Sequence, residues 1–187
     1  MNNPSPHLQV IDDFFSAFSL HHALQLLDKL LFTACSGSTW KGRFPADAVY
    51  YSERLSGLSE AVFAISEEPP VPGTQIRIEG GAELWLLTRY DTYCGRHKNS
   101  TPWHFFPRSL TQKEFCNPYK AMNSFTRCCT KERWNDILKE ILHCALSPHN
   151  MEERDEEPGL LVIRLQLHKL IEAAHLIAVR QQKQPQQ

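Results

Sequence analysis

Residues 130–147 read TKERWNDILKEILHCALS, and residues 19–36 read SLHHALQLLDKLLFTACS. The two stretches align without a gap at an offset of 111 residues. Leu27 falls on Leu138, Leu31 on Leu142, Ala34 on Ala145 and Ser36 on Ser147. Leu26/Ile137, Leu30/Ile141 and Ser19/Thr130 are conservative matches. In the later copy Trp134, Ile137, Leu138, Ile141, Leu142 and Ala145 form one stripe at helical spacing, which predicts an amphipathic helix. Thr130 is its expected N-cap, and Ser147-Pro148 its stop. Leu20, Leu24, Leu27, Leu31 and Ala34 make the matching stripe in the earlier copy, which Ser36-Gly37-Ser38 ends.

The likeness extends outward. Phe14 falls on Phe125 at the same offset, and Pro6 on Pro118 with one residue of slip. Downstream, ERLSGLSEAVFAI at 53–65 matches LQLHKLIEAAHLI at 165–177 at an offset of 112. Leu55/Leu167, Leu58/Leu170, Glu60/Glu172, Ala61/Ala173 and Ile65/Ile177 are identical pairs. Two blocks in one order at nearly one offset predict an internal duplication. Each unit then holds three helices: 6–17, 19–36 and 46–65, then 118–128, 130–147 and 160–180. Ser5 and Asn117 are the expected N-caps of the first helices, with proline at the first helical position. The third helices carry core faces of Tyr51, Leu55, Leu58, Val62 and Ile65, and of Ile163, Leu167, Leu170, Ile171, Ala174 and Ile177.

The expected fold is therefore mainly all-α. It is a pseudo-two-fold bundle of two duplicated three-helix units, repeats 5–65 and 117–180, in one domain spanning 1–187. Small units of this kind bury little alone, so they should pack face to face. Residues 66–116 form an insert without a counterpart. It opens on the breaker cluster EEPPVPG at 67–73. TQIRIE at 74–79 alternates like a strand, Gly80-Gly81 suits a hairpin turn, and AELWLLTRY at 82–90 returns as a strand or begins a helix. The rest of the insert is irregular and aromatic, until Thr111 and Glu114 form a capping box for another short helix. Residues 151–157, MEERDEE, read as a solvated acidic loop, and the polar tail 181–187 as frayed.

Composition agrees with one folded domain. The chain has 187 residues, 42% of them hydrophobic and 22% charged. Lys and Arg total 20 against 21 Asp and Glu, so no global basic field draws the chain to nucleic acid or an anionic membrane. The N-terminal residues lack the features of a signal peptide, and no run reaches the roughly 18 apolar residues of a membrane span. Cys35, Cys94, Cys116, Cys128, Cys129 and Cys144 then read as reduced thiols, and the expected location is the cytoplasm.

Several clusters invite chemistry. Glu140-x-x-His143 and Glu172-x-x-His175 match the carboxylate–imidazole element of di-iron bundles, with Asp28 and Glu60 as further carboxylates. Glu140 and His143 lie opposite the apolar stripe of their helix, however, and should face water. His168, Glu172 and His175 share one side of the last helix and are the candidate ligands for zinc or iron. The first unit has Ser56 and Phe63 in place of the two histidines, so Glu60 and Glu172 are expected instead to bond helix termini or basic partners. Cys94, His97, His104 and Cys116 could clip the insert with zinc, at a spacing no finger uses. No Gly-x-Ser-x-Gly elbow, P-loop, Gly-x-Gly-x-x-Gly or His-Glu-x-x-His occurs, so the reading leans away from an enzyme and expects no cofactor.

Residues 85–113 stand out from the balanced charge, with five cations and one acid, Asp91. Trp85, Arg89, Tyr90, Tyr93, Arg96, Lys98, Trp103 and Arg108 interleave aromatics with cations. Such a face suits a protein-binding hot spot, where Trp, Tyr and Arg are enriched. It suits single-stranded nucleic acid too, through stacking and backbone attraction. It also suits a lid on the bundle core. The expected function is a non-enzymatic binding or regulatory protein that takes a protein partner on this face. A nucleic-acid-binding accessory protein and a metal-dependent helical-bundle enzyme are the alternatives. Asn117-Pro118-Tyr119 followed by 130–147, together with KLIEAAHLIAVR at 169–180, resembles a loose set of helical proteins from Bacteroidetes genomes. That resemblance rests on helical patterning and implies no activity or site residue.

Overall fold

Short polar caps start the two helices that begin at Leu20 and Lys131. Ser19 Oγ accepts the His22 N–H at 3.3 Å, and Thr130 Oγ1 accepts the Arg133 N–H at 3.3 Å. Each satisfies one of the donors a helix start leaves open. The computed structural model describes residues 5–42, 44–78, 89–95, 102–149, 151 and 158–182. In chain order these hold α1 (Pro6–Ala17), α2 (Leu20–Cys35), α3 (Pro45–Glu67), α4 (Tyr90–Tyr93), a 3-10 turn (Pro102–His104), α5 (Gln112–Cys116), α6 (Tyr119–Cys128), α7 (Lys131–Leu146) and α8 (Leu160–Gln182). Pro6 and Pro45 occupy the first turns of α1 and α3, where the missing N–H costs nothing. Asn117 is not the cap of α6; Pro118 is, one residue later.

The predicted stripes are the buried faces. Trp134, Ile137, Leu138, Ile141 and Ala145 of α7 are buried, while Leu142 is half-buried and Cys144 takes the inner place. Leu20, Leu27, Leu31 and Ala34 of α2 are buried and Leu24 is half-buried. Buried polar tips are answered: Tyr51 donates to the Ala23 carbonyl at 2.7 Å, and Trp134 Nε1–H to the Phe125 carbonyl at 3.1 Å. The Phe125 and Trp134 rings stack with centroids 4.3 Å apart. α2 packs on α7 and α8, α3 on α1, α6 and α7, and α8 on α1, α2 and α6, with α4 and α5 laid against it. The long helices form an all-α bundle, and no described helix is long and apolar enough to cross a membrane.

The hairpin is a correction. Among the described residues there is no strand. Residues 74–78 alternate because Thr74 is buried and Ile76 and Ile78 pack against the core. The Ile76 N–H instead donates to the carbonyl of Cys116 at the end of α5, at 2.9 Å. The turn at Gly80-Gly81 and most of the proposed return strand lie outside the described residues, as do residues 152–157 and 183–187. Helix α8 runs on to Gln182, two residues into the stretch read as a frayed tail. The Thr111 capping box forms: Thr111 Oγ1 accepts the Glu114 N–H, and Glu114 Oε2 accepts the Thr111 N–H.

Candidate functional site

Helix α8 is the axis on which the polar groups converge. From Leu167 to Ala178 it is buried except at the half-buried Lys169, and its burial takes in His168, Glu172 and His175; Arg180 is buried one turn further on. A helix covered on every side cannot keep polar groups unless each is answered or desolvated.

Glu172 has no exposed surface, and its hydrogen-bond partners among the described residues are backbone amides. Its Oε1 accepts the Arg108 N–H at 2.8 Å, and its Oε2 the N–H groups of Ser109 at 2.9 Å and Leu110 at 3.1 Å. Burial pushes the Glu172 carboxyl above its usual range, and the three amide bonds offset only part of that. The carboxylate thus serves as an anchor for a loop that makes no regular structure of its own. Four residues past α8's Arg164, His168 Nε2 lies 2.8 Å from Asp28 Oδ1 on α2, and Arg164 Nε donates to the same oxygen at 2.8 Å. Burial would raise the Asp28 carboxyl, but hydrogen bonds from Arg164 and His168 outweigh it and hold it low. Lys169 reaches Glu114 at 2.8 Å, tying α5 to α8.

His175 is desolvated, with the Phe15 edge 5.0 Å away and the Phe105 ring stacked at 6.1 Å. Burial, with Arg180 nearby, pushes its pKa down to about 4, so the ring is neutral at pH 7. Its Nδ1 has no partner among the described residues. Arg180 Nη1 donates to the carbonyls of Thr74 and Phe115, both at 2.9 Å, and the guanidinium lies over the Phe115 ring at 4.8 Å. Burial lowers Arg180 to about 10, against the opposing pull of Cys94, Cys116 and Tyr93. The cation remains charged and fastens both ends of the insert to one helix.

The candidate metal ligands are thus turned to separate partners: His168 to Asp28, Glu172 to backbone amides, His175 to two aromatic rings. Among the described residues no group of three metal-ligating side chains comes together. His97 lies outside the described residues, and so do Trp85, Arg96 and Lys98 of the aromatic-basic stretch. Of its described members, Tyr90 and Tyr93 pack against the core, as do the neighbouring Phe105 and Phe106. Arg89, Trp103 and Arg108 face outward, with Trp103 63% exposed. Phe105, at 4% exposure, is the inward neighbour of that exposed ring. Arg108 Nη2 reaches back to the Trp103 carbonyl at 3.5 Å.

One pair escaped the sequence reading. The rings of His21 and His104 stack at 4.2 Å with an 8° tilt, joining the start of α2 to the 3-10 turn. Desolvation, then His104, Arg108 and His22, lower His21. Nothing in the spacing of these histidines announces the pair, since the contact depends on how Glu172 sets the loop. The chain matches no protein-family model, no curated protein and no solved structure.

Proposed function

We propose that the protein is a non-enzymatic binding or regulatory protein whose partner is another protein, held on the face around Trp103 and Arg108. One observation carries this reading: a tryptophan 63% exposed, on a loop whose next residues are pinned by a buried carboxylate. An exposed indole on a fixed support loses little entropy on binding, and Trp with Arg is the usual chemistry of a hot spot. The stacked His21–His104 pair extends the face. A location in the cytoplasm suits the six free thiols and belongs to the same proposal.

A photo-crosslinking residue in place of Trp103, in cells expressing the chain, tests the reading. The expected result is a protein adduct of discrete mass, absent from the same substitution at Lys139 and lost with Arg108→Glu. Adducts to nucleic acid alone, or equal yield at Lys139, would defeat it.

We further propose that the bundle arose by duplication of a three-helix unit. α2 and α7 are both 16 residues long, and α3 and α8 both 23. α1 packs on α3 as α6 packs on α8, α3 on α6 as α8 on α1, and α3 on α7 as α8 on α2. Exchange of the two sets maps each of these pairs onto another, as an approximate two-fold axis requires, while the lesser contact of α2 with α3 has no equal between α7 and α8.

A further inference from the structure

Helix α6 has a polar stripe at the spacing normally taken by apolar residues. Lys120, Asn123, Ser124 and Arg127 recur at i, i+3, i+4 and i+7, so they share one face. The opposite face, Tyr119, Ala121, Met122 and Phe125, is buried. Lys120 sits where two clefts meet. One is lined by Lys120, Asn123, Ser124, Arg127, Cys128 and Gln166. The other runs between residues 75–78 and 112–117, with Arg77, Lys113 and Lys120 in its wall. Arg77, Lys113, Lys120 and Arg127 are all exposed, and none forms an ion pair with a described acid. No acid lines either cleft among the described residues, and Glu114 on α5 is committed to Lys169. In a chain of net charge -1, cations gathered without a counter-charge among the described residues mark a local field that an anion would neutralise.

We propose that this groove, from Arg77 and Lys113 across Lys120 to Arg127, seats the phosphate backbone of a single nucleic-acid strand. It shares no residue with the Trp103 face and stands independently of that reading. The two clefts are shallow and join at Lys120, and a flexible strand can follow that course more easily than a rigid duplex. Lys120 and Arg127 are two helical turns apart, about 10 Å along the axis, so adjacent phosphates can be met in succession. Between the cations the lining mixes polar side chains, Asn123, Ser124 and Gln166 on one side and Gln75, Gln112 and Asn117 on the other, with Cys128, Ile76, Ile78 and Cys116. An anionic membrane is the weaker fit, because none of the large exposed apolar side chains lines the groove to anchor it in lipid. With no aromatic side chain in the lining, affinity comes from the backbone and tolerates any sequence.

The test is fluorescence anisotropy of the full chain with a labelled oligothymidylate and oligouridylate strand, a duplex of equal length, and vesicles containing phosphatidylserine. Both strands should bind in the micromolar range at low salt, more tightly than the duplex. With four phosphate contacts, log affinity against log salt should fall with a slope of about -2.8. Lys120→Glu with Arg127→Glu should weaken binding at least tenfold and roughly halve the slope, while Lys139→Glu on α7 leaves both unchanged. Circular dichroism of the variants guards against loss of fold. Strand affinity no better than millimolar, equal loss with Lys139→Glu, or binding to vesicles in preference to strands would each overturn the proposal.

Discussion

Helices α3 and α8 have the same length and carry a glutamate at matching places, yet they live in different surroundings. Glu60 on α3 has 47% of its side chain exposed, and it meets Lys131 at 3.3 Å and Asn135 at 3.2 Å on α7. Glu172 on α8 has no exposure and holds three backbone amides. The difference is the insert. It lies across α8, through α4, α5 and the loop at 102–110, and it leaves the Glu60 side of α3 open. The same residue type at the same register is a surface ion-pair partner in one place and a structural anchor in the other. The surroundings, not the residue, decide its weight.

Removing the two carboxylates should break this comparison most sharply. Glu172→Ala leaves the part-buried N–H groups of Arg108, Ser109 and Leu110 without their acceptor and a cavity in α8's covered face, and should cost about 3–5 kcal/mol in urea unfolding. The second largest effect is a pH dependence. The unfolded His175 imidazole gains its proton near pH 6.5, the buried one only near 4. The unfolded chain therefore takes up the proton first as pH falls. The stability that the neutral ring allows is present above about pH 6.5 and is lost on the way to pH 4, by about 3 kcal/mol at most. Glu172, whose carboxyl is raised by burial, protonates earlier in the fold than in the unfolded chain and opposes part of the loss. His175→Phe removes the histidine contribution alone, so its melting temperature should fall less than that of the parent between pH 6.5 and 4. Parallel curves would show that His175 is not desolvated. The smallest effect belongs to Glu60→Ala, which should stay within about 0.5 kcal/mol because an exposed pair contributes little.

The helices were legible because one face of each is apolar. Ser19 and Thr130 marked their starts, and Thr111 with Glu114 marked α5. Period alone could not say that α8 is covered from Leu167 to Ala178, because His168, Glu172 and His175 read as a polar face. They are polar, but each meets a group from elsewhere in the chain: Asp28 of α2 for His168, insert amides for Glu172, and the Phe15 and Phe105 rings for His175. Residues 74–78 misled in the opposite sense. Their alternation reported a buried side, and a strand was inferred where the backbone is bound by Cys116 and Arg180. The basic groove was hidden for a third reason. Arg77, Lys113 and the α6 cations come from three segments, and a count confined to 85–113 splits them. The cation spacing within α6 was the available signal.

The central claim is that Glu172 fixes the loop carrying Trp103 and Arg108 onto α8. Amide hydrogen exchange at Arg108, Ser109 and Leu110 tests it most directly, in the parent and in Glu172→Gln. The parent should protect all three amides although they lie outside any helix, and the variant should lose that protection while the amides of α2 and α7 keep theirs. Fast exchange at these amides in the parent, or protection unchanged by Glu172→Gln, would contradict it.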